Sequence, residues 1–107
     1  MNNSIVTGYE QISAFSGRPA ECRHHLIFGI ASREIADQDG VWIPLTNDEH
    51  NLSMMGTIYQ IHGNPAAEKL SKIAGQLAWE KHYIAVNQVD EKEAREWFMK
   101  RYGKSFL

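Results

Sequence analysis

The strongest constraint on the fold is a change in sequence pattern near residue 65. Residues 1–65 are rich in Gly, Asn, Ser and His and hold only short apolar runs. Residues 66–107 are rich in Ala, Glu and Lys at helical spacing. An irregular first half followed by a helical second half predicts an α+β fold. We expect a single domain over residues 1–107, with a core over 20–65 and a helical extension over 66–107.

The second half predicts two helices. Pro65 suits the first turn of a helix that runs to about Val86. Asp90 is the expected cap of the next helix, with Glu93 three residues later and Gly103 at its end. The residues expected to face the core are apolar and recur at helical intervals: Leu70, Ile73, Ala74, Leu77, Ala78 and Ile84 in the first helix, and Ala94, Trp97, Phe98 and Tyr102 in the second.

Two short apolar runs in the first half predict strands. His24–Phe28 is ended by Gly29 and suits a strand or the entry to a loop. Val41–Leu45 carries Pro44, which confines it to an edge or a strand end. Two further segments, Ile5–Val6 and Ile12–Phe15, are weak candidates for a strand or a turn.

Two short helices are expected beside these strands. Ser32 is a candidate cap for a helix over Arg33–Gln38 that Gly40 closes. Asn47 or Asp48 is a candidate cap for a second helix, which carries Glu49, His50 and Asn51 and continues unevenly past Gly56 toward Ile61 and His62.

Composition excludes several classes of protein. The single cysteine, Cys22, rules out an internal disulfide and a zinc site built from several cysteines, and it is expected to be inert. The net charge of −2 argues against binding nucleic acid through bulk positive charge, although a bound metal would supply positive charge locally. No apolar run is long enough to span a bilayer, and the first residues lack the pattern of a signal peptide, so we expect a cytoplasmic protein.

Four of the five histidines lie in the irregular half: His24, His25, His50 and His62. A strand directs adjacent side chains to opposite faces, so His24 and His25 are expected to diverge unless a bulge or a strand end re-aims one of them. A strand–strand–helix order would carry His50 back over the hairpin and gather His24, His50 and His62 around one cation, with His25 beside it. His82, in the long helix, is expected to be a structural or surface residue.

Such a group suits phosphodiester hydrolysis. One divalent metal can stabilise the phosphate and the leaving oxygen, and a neutral histidine can take a proton from water. Two adjacent histidines can divide the roles of ligand and base. The ordinary alternative, in which these histidines are surface or core residues without a metal, stays open at this point.

The segments ECRHHLIFG, VWIPLTNDEHN and IHGNP resemble the HNH (ββα-metal) nucleases. The run IHGNPAAEKLSKIAGQLAWEKHYIA and the ending FMKRYGKSFL resemble the small HNH-like proteins of phages and prophages, so the resemblance covers roughly residues 20–107. It implies a small ββα-metal core followed by two C-terminal helices. It also implies a metal-dependent endonuclease that acts on DNA in phage recombination, replication or packaging, in the cytoplasm of the host cell.

The resemblance assigns roles by position. His24, His50 and His62 match metal ligands, although His62 lies further from His50 than one helical turn, and His25 matches the general base. Asn51 matches a residue that binds metal or orients the loop. The implied cofactor is one divalent ion, zinc or magnesium or manganese, and an all-histidine site favours zinc or another transition metal.

The chain departs from the family pattern at two places. Thr46 and Glu49 stand where many relatives carry paired cysteines, so packing by Trp42, Ile43 and Leu45 is expected to hold the hairpin. The asparagine that orients the base has no counterpart before Asn47. These departures motivate the alternative of a catalytically inactive HNH scaffold that binds nucleic acid or a protein partner.

Basic residues near the histidines are the expected nucleic-acid contacts. The residues that could contact phosphates are basic: Arg23, Arg33, Lys69, Lys72, Lys100, Arg101 and Lys104. Arg23 and Arg33 are favoured because they flank the expected site, whereas a solvated helix face is the better interpretation of Lys69 and Lys72. A third hypothesis is a metal-free interaction protein, a homodimer formed through the C-terminal helices. DNA is the expected partner under the leading hypothesis, with no membrane.

Overall fold

The computed structural model describes residues 3–52 and 61–107. Its elements are β1 (Cys22–His25), α1 (Ser32–Asp39), β2 (Trp42–Leu45), a π-helical turn (Asp48–Leu52), α2 (Pro65–Asn87) and α3 (Glu91–Tyr102). The predicted α+β class is confirmed. The expected continuation of the turn past Gly56 falls outside the described residues.

The two strands pair antiparallel, with His24 opposite Ile43 and His25 opposite Trp42. β1 begins two residues before the predicted His24–Phe28 and ends at His25. It ends there because the chain turns away toward Gly29, whose φ is 117°. Within the described part of the chain the sheet has these two strands alone. Both are therefore edge strands, which is where Pro44 is tolerated, as predicted.

The caps of the short helical segments differ from the predicted ones. Ser32 is the first residue of α1 and not its cap; Ala31, with a φ of 71°, precedes it and makes no capping bond with its side chain. Gly40 ends α1 in the left-handed conformation, as predicted. The cap of the π-helical turn is Thr46, not Asn47 or Asp48.

The N-terminal segment forms turns that lie along β2. The hydroxyl of Ser4 donates to the Trp42 carbonyl (2.6 Å), and the Ala14 N–H donates to the Pro44 carbonyl (2.8 Å). Ile12 pairs with Pro19 in an isolated bridge. Backbone groups of β2 that do not face β1 are satisfied in this way.

α2 spans the predicted residues but buries a different face. Leu70 and Leu77 are 66% and 52% exposed, and Ala74 is exposed too, so their predicted core position is wrong. Ile73, Ala78 and Ile84 are half-buried. The residues of α2 that are buried are instead small or polar, with one aromatic: Ser71, Gly75, Gln76, Trp79 and Glu80.

Gly75 explains this choice of face. A Cβ at Gly75 would lie 2.8 Å from the Ile27 side chain, 2.9 Å from the Leu26 Cβ and 3.2 Å from the Val41 side chain. α2 therefore approaches the hairpin more closely than a leucine-rich face would allow. Apolar spacing located the helix, but the small residues determined its packing.

α3 begins after Asp90, whose carboxylate accepts the Glu93 N–H at 2.8 Å as predicted, and it ends at Gly103. Ala94, Phe98 and Tyr102 are buried as predicted. Trp97 is 44% exposed, which corrects its predicted core position.

One carboxylate joins three helices. Asp39, at the end of α1, accepts hydrogen bonds from Trp79 (3.0 Å), Arg101 (2.7 and 2.9 Å) and Tyr102 (3.0 Å). No helix among the described residues is both long enough and apolar enough to cross a membrane.

Candidate functional site

Three imidazoles from three different segments meet at one end of the hairpin. His24 comes from β1, His50 from the π-helical turn and His62 from the residues before α2. Their ring centroids are 5.1 Å apart for His24 and His50, 5.1 Å for His24 and His62, and 4.7 Å for His50 and His62. One nitrogen of each lies within 4.8 Å of the others, so this histidine cluster could hold a metal ion.

A capping box positions the turn that carries His50. The Glu49 carboxylate accepts the Thr46 N–H at 2.9 Å, and the Thr46 hydroxyl accepts the Glu49 N–H at 3.4 Å. Ser13 donates to the same carboxylate at 2.5 Å. At Thr46 and Glu49, buried hydrogen bonds thus supplement the packing of Trp42, Ile43 and Leu45, which are all buried as predicted.

Two backbone hydrogen bonds bring His62 to His50. The Ile61 N–H donates to the Glu49 carbonyl and the His62 N–H to the His50 carbonyl, both at 3.1 Å. The long spacing between His50 and His62 in sequence is closed by these contacts. His62 therefore reaches the cluster although it is not one helical turn away.

A relay of hydrogen bonds fixes the tautomer of His24. The Ser71 hydroxyl donates to the Leu26 carbonyl at 2.8 Å, so it must accept from His24 Nε2–H, 2.7 Å away. Nδ1 then carries the lone pair. Among the described residues, His24 Nδ1 is the buried side-chain nitrogen or oxygen that has no hydrogen-bond partner.

A hydrogen-bond acceptor also fixes the tautomer of His62, and burial lowers the pKa of His24 and His50. The Glu68 carboxylate lies 3.3 Å from His62 Nδ1, which makes Nε2 the nitrogen that carries the lone pair. Burial, together with the neighbouring imidazoles, lowers the pKa of His24 to about 3. Burial also lowers the pKa of His50 to about 4, with His62, His25 and Arg33 contributing.

These observations fit a divalent cation. A buried lone pair without a hydrogen-bond donor is unfavourable unless something binds it. Neutral imidazoles are the ligand form of histidine, and ligand histidines commonly donate their second nitrogen to a carboxylate or another acceptor, as His62 and His24 do. Three nitrogen donors favour zinc or another transition metal over magnesium.

His25 lies outside the cluster. Its Nε2 is 2.9 Å from the Asp37 carboxylate on α1, and it lines an open cavity of ≈ 500 Å³ together with Arg33 and Asp37. Arg33 and Asp37 are four residues apart on α1 and so share one face of the helix. The contact with Asp37 therefore fixes the orientation of the His25 ring.

The predicted nucleic-acid contacts occupy different surroundings. Arg33 is exposed at the cavity, and its charge contributes to lowering the pKa of His50. Arg23 packs its guanidinium 4.0 Å from the Trp42 ring centroid and lies 3.4 Å from Asp37. Contact of either arginine with nucleic acid stays a prediction.

Other candidates fall away from the site or outside the described residues. The side chain of Asn51 is outside them. His82 is exposed on α2. Cys22 directs its thiol toward the Leu45 carbonyl at 3.6 Å, and burial, with Glu21 and Glu49 adding to it, raises the pKa of that thiol, which makes it a poor nucleophile.

Sequence reasoning missed three residues that support the histidines: Ser71, Glu68 and Asp37. A signal exists for Asp37, since it lies four residues after Arg33 on a short helix. Ser71 had no signal, because its role depends on which face of α2 is buried.

The chain matches no known protein-family model, and no curated protein or solved structure is significantly similar to it.

Proposed function

We propose that this protein is a metal-dependent endonuclease of the HNH (ββα-metal) type that hydrolyses DNA phosphodiester bonds. The observation that carries the proposal is the buried lone pair of His24 Nδ1 beside His50 and His62, next to a histidine that a carboxylate orients. The proposal combines a site for one divalent ion with a separate base.

His24, His50 and His62 are the residues that would hold the ion. A divalent ion supplies Lewis-acid stabilisation of the phosphoryl oxygens and the leaving oxygen. Ser71 and Glu68 orient His24 and His62 through their second nitrogens.

His25 acts as the general base. With Nε2–H donating to Asp37, the lone pair of His25 lies on Nδ1, which accepts a proton from the attacking water. The oxygen of that water then bonds to phosphorus as the bond to the leaving oxygen breaks. The Asp37 carboxylate stabilises the imidazolium that forms.

Arg33 is the residue best placed to bind the substrate's phosphate. It is exposed at the cavity that His25 and Asp37 line, and a guanidinium can donate two parallel hydrogen bonds to a phosphate. Arg23 has a supporting role, because its guanidinium is already engaged with Asp37 and Trp42.

The order of elements supports the family assignment. The two antiparallel strands, with α1 between them in sequence, are followed by a short π-helical turn that carries His50. The expected setting in phage recombination, replication or packaging rests on the resemblance of the sequence.

Plasmid nicking tests the proposal. Purified protein should convert supercoiled plasmid to the nicked form when zinc, manganese or magnesium is added, and EDTA should prevent this. His25→Ala should lower the nicking rate at least 100-fold, because general-base catalysis contributes that much. His82→Ala is the matched control and should nick at the wild-type rate.

Equal nicking by the wild type and His25→Ala would overturn the assignment of the base. Saturable DNA binding without nicking in any of the metals would overturn the catalytic proposal and identify the inactive scaffold instead.

A further inference from the structure

A second cleft adjoins the histidine cluster on its α2 side. It has a volume of ≈ 420 Å³ and lies between the first turns of α2 and the segment after α3. We call it the lysine cleft, because Lys69 and Lys72 line it from α2 and Lys104 from the C-terminal segment. Lysines that are more than 30 residues apart in sequence meet here in a protein whose net charge is −2.

Aromatic rings hold two of these lysines in place. The Lys72 ammonium lies 4.6 Å from the Phe28 ring centroid and 5.8 Å from that of Phe106, and the Lys104 ammonium lies 5.4 Å from the Phe106 centroid. Two positive charges thus share one ring, which attracts each of them through its negative face. Among residues 3–52 and 61–107, neither lysine forms an ion pair with a carboxylate.

A buried amide fixes the C-terminal segment that carries Lys104. Gln76 is fully buried; its Oε1 accepts the Phe106 N–H at 2.7 Å, and its Nε2 donates to Ser105 Oγ at 2.9 Å. Glu80 accepts from the same amide at 2.8 Å. Lys104 is therefore held on a fixed backbone opposite Lys72.

Two residues, Phe28 and Glu68, connect the cleft to the proposed metal site. The Phe28 ring contacts Lys72 on one side and His62 on another, with centroids of Phe28 and His62 4.7 Å apart. Glu68 is the one carboxylate that lines the cleft among the residues that the structure describes, and it is directed to His62. The charge of the cleft's lining residues is positive even with Glu68 included.

We infer that the lysine cleft binds the phosphodiester backbone of the nucleic acid next to the scissile phosphate, through Lys72 and Lys104. The inference rests on the proposed function. Like charges held in one cleft and not paired with its carboxylate favour an anion between them, and a polyanion that reaches the metal site can supply phosphates to both. The start of α2 at Pro65 adds the positive end of a helix dipole to the same cleft.

DNA binding in EDTA tests this without depending on catalysis. The variant is Lys72→Gln with Lys104→Gln, measured by fluorescence anisotropy on a short labelled DNA duplex over a salt series. We expect binding about tenfold weaker at moderate salt, and a plot of log affinity against log salt that is less steep by roughly 2, since each lost phosphate contact removes about one unit.

The matched control is Lys81→Gln with Lys92→Gln, which removes the same charge elsewhere. Lys81 is nine residues after Lys72, which places it on about the opposite face of α2. Lys92 lies at the start of α3, whereas Lys104 follows the end of that helix. The control should bind as the wild type does. Lys72→Arg with Lys104→Arg keeps both positive charges and should therefore bind DNA with the wild-type affinity.

The outcomes separate the two proposals. If both double-Gln variants bind alike while metal-dependent nicking persists, the lysine cleft is overturned and the nuclease stands. If binding depends on Lys72 and Lys104 but no metal supports nicking, the cleft stands and the catalytic proposal is overturned. If the wild type binds no DNA in EDTA, the lysine cleft is overturned, and nicking with added metal decides the nuclease proposal separately.

Discussion

His24 and His25 are neighbours in one strand, yet they lie in opposite surroundings. Each ring is held through Nε2, His24 by the hydroxyl of Ser71 at 2.7 Å and His25 by the carboxylate of Asp37 at 2.9 Å. His24 is fully buried beside two other imidazoles, whereas His25 lines an open cavity. The alternation of side chains along β1 produces this separation.

The difference in partners suits the two residues to different chemistry. Burial and the neighbouring imidazoles keep His24 neutral, and the bond from Nε2–H to the Ser71 hydroxyl leaves the lone pair on Nδ1, available to a cation. A carboxylate stabilises the charge that His25 acquires when it accepts a proton. The surroundings of each ring, including the group bonded to Nε2, therefore distinguish the proposed ligand, His24, from the proposed base, His25.

The most direct way to break this comparison is to remove each ring in turn. His24→Ala should lower metal affinity more than 100-fold, because one of three nitrogen donors is lost. His25→Ala should leave metal affinity within about twofold of the wild type. Equilibrium dialysis with zinc and cobalt measures both. Equal loss in the two variants would mean that His25 is a ligand and that the separation is wrong.

Asp37→Asn tests the partner of His25. An amide can still accept from Nε2–H but does not stabilise the imidazolium, so we expect kcat for nicking to fall about 100-fold while metal affinity is unchanged. Glu34→Gln is a control on the same helix and cavity. A wild-type kcat in Asp37→Asn would show that the carboxylate has no part in the reaction.

Ser71→Ala tests the partner of His24. The loss of the hydroxyl leaves Nε2–H without its acceptor and lets the ring turn, so metal affinity should fall about tenfold. The nicking rate at saturating metal should change far less, the reverse of the Asp37→Asn pattern. His82→Ala, at an exposed position of α2, serves as the control for dialysis. Undiminished affinity in Ser71→Ala would mean that the hydroxyl relay does not orient His24.

The same comparison shows what the sequence could and could not predict. The antiparallel hairpin and both long helices follow from local signals: alternation, caps and residue type. The sequence also suggested that His24, His50 and His62 meet, but the backbone hydrogen bonds that bring His62 to His50 have no local signal. Ser71 could not be found, because apolar spacing assigned Leu70 and Leu77 to the core and only the close approach at Gly75 selects the other face. Asp37 was missed because it contacts His25 across a turn through Ala31, whose positive φ is unusual for alanine.

The metal affinity assigned to His24 depends on how closely α2 approaches the hairpin, which Gly75→Ala would disturb. The added methyl would lie within 3.0 Å of Leu26 and Ile27, and we expect a net loss of about 1–2 kcal/mol in the free energy of unfolding, after a helix-propensity gain of about 1 kcal/mol. Ser71, which holds His24, lies one helical turn from Gly75, so metal affinity should fall as well. The contact between Asp37 and His25 should not change. Urea unfolding measures the first effect, and Ala74→Gly, at an exposed position of α2, calibrates the propensity. A more stable Gly75→Ala would show that the helix can move away from the hairpin.

The smallest expected effect concerns the opposite side, where Asp39 ties α1, and with it Asp37, to the other helices. Burial alone would raise the pKa of the Asp39 carboxyl, but hydrogen bonds from Arg101, Tyr102 and Trp79 outweigh it and hold that pKa below its usual value. A carboxyl whose pKa is lowered by folding contributes stability that is present above the unfolded value, about 3.9, and is lost as the pH falls through the folded value.

The melting temperature of the metal-free protein should therefore decline with acid below about pH 4. Asp39→Asn should melt about 5 °C lower at pH 7 and show a shallower decline in acid, whereas Glu96→Gln, at an exposed position of α3, should follow the wild type. Parallel acid profiles for the wild type and Asp39→Asn would mean that α1 is held by packing alone.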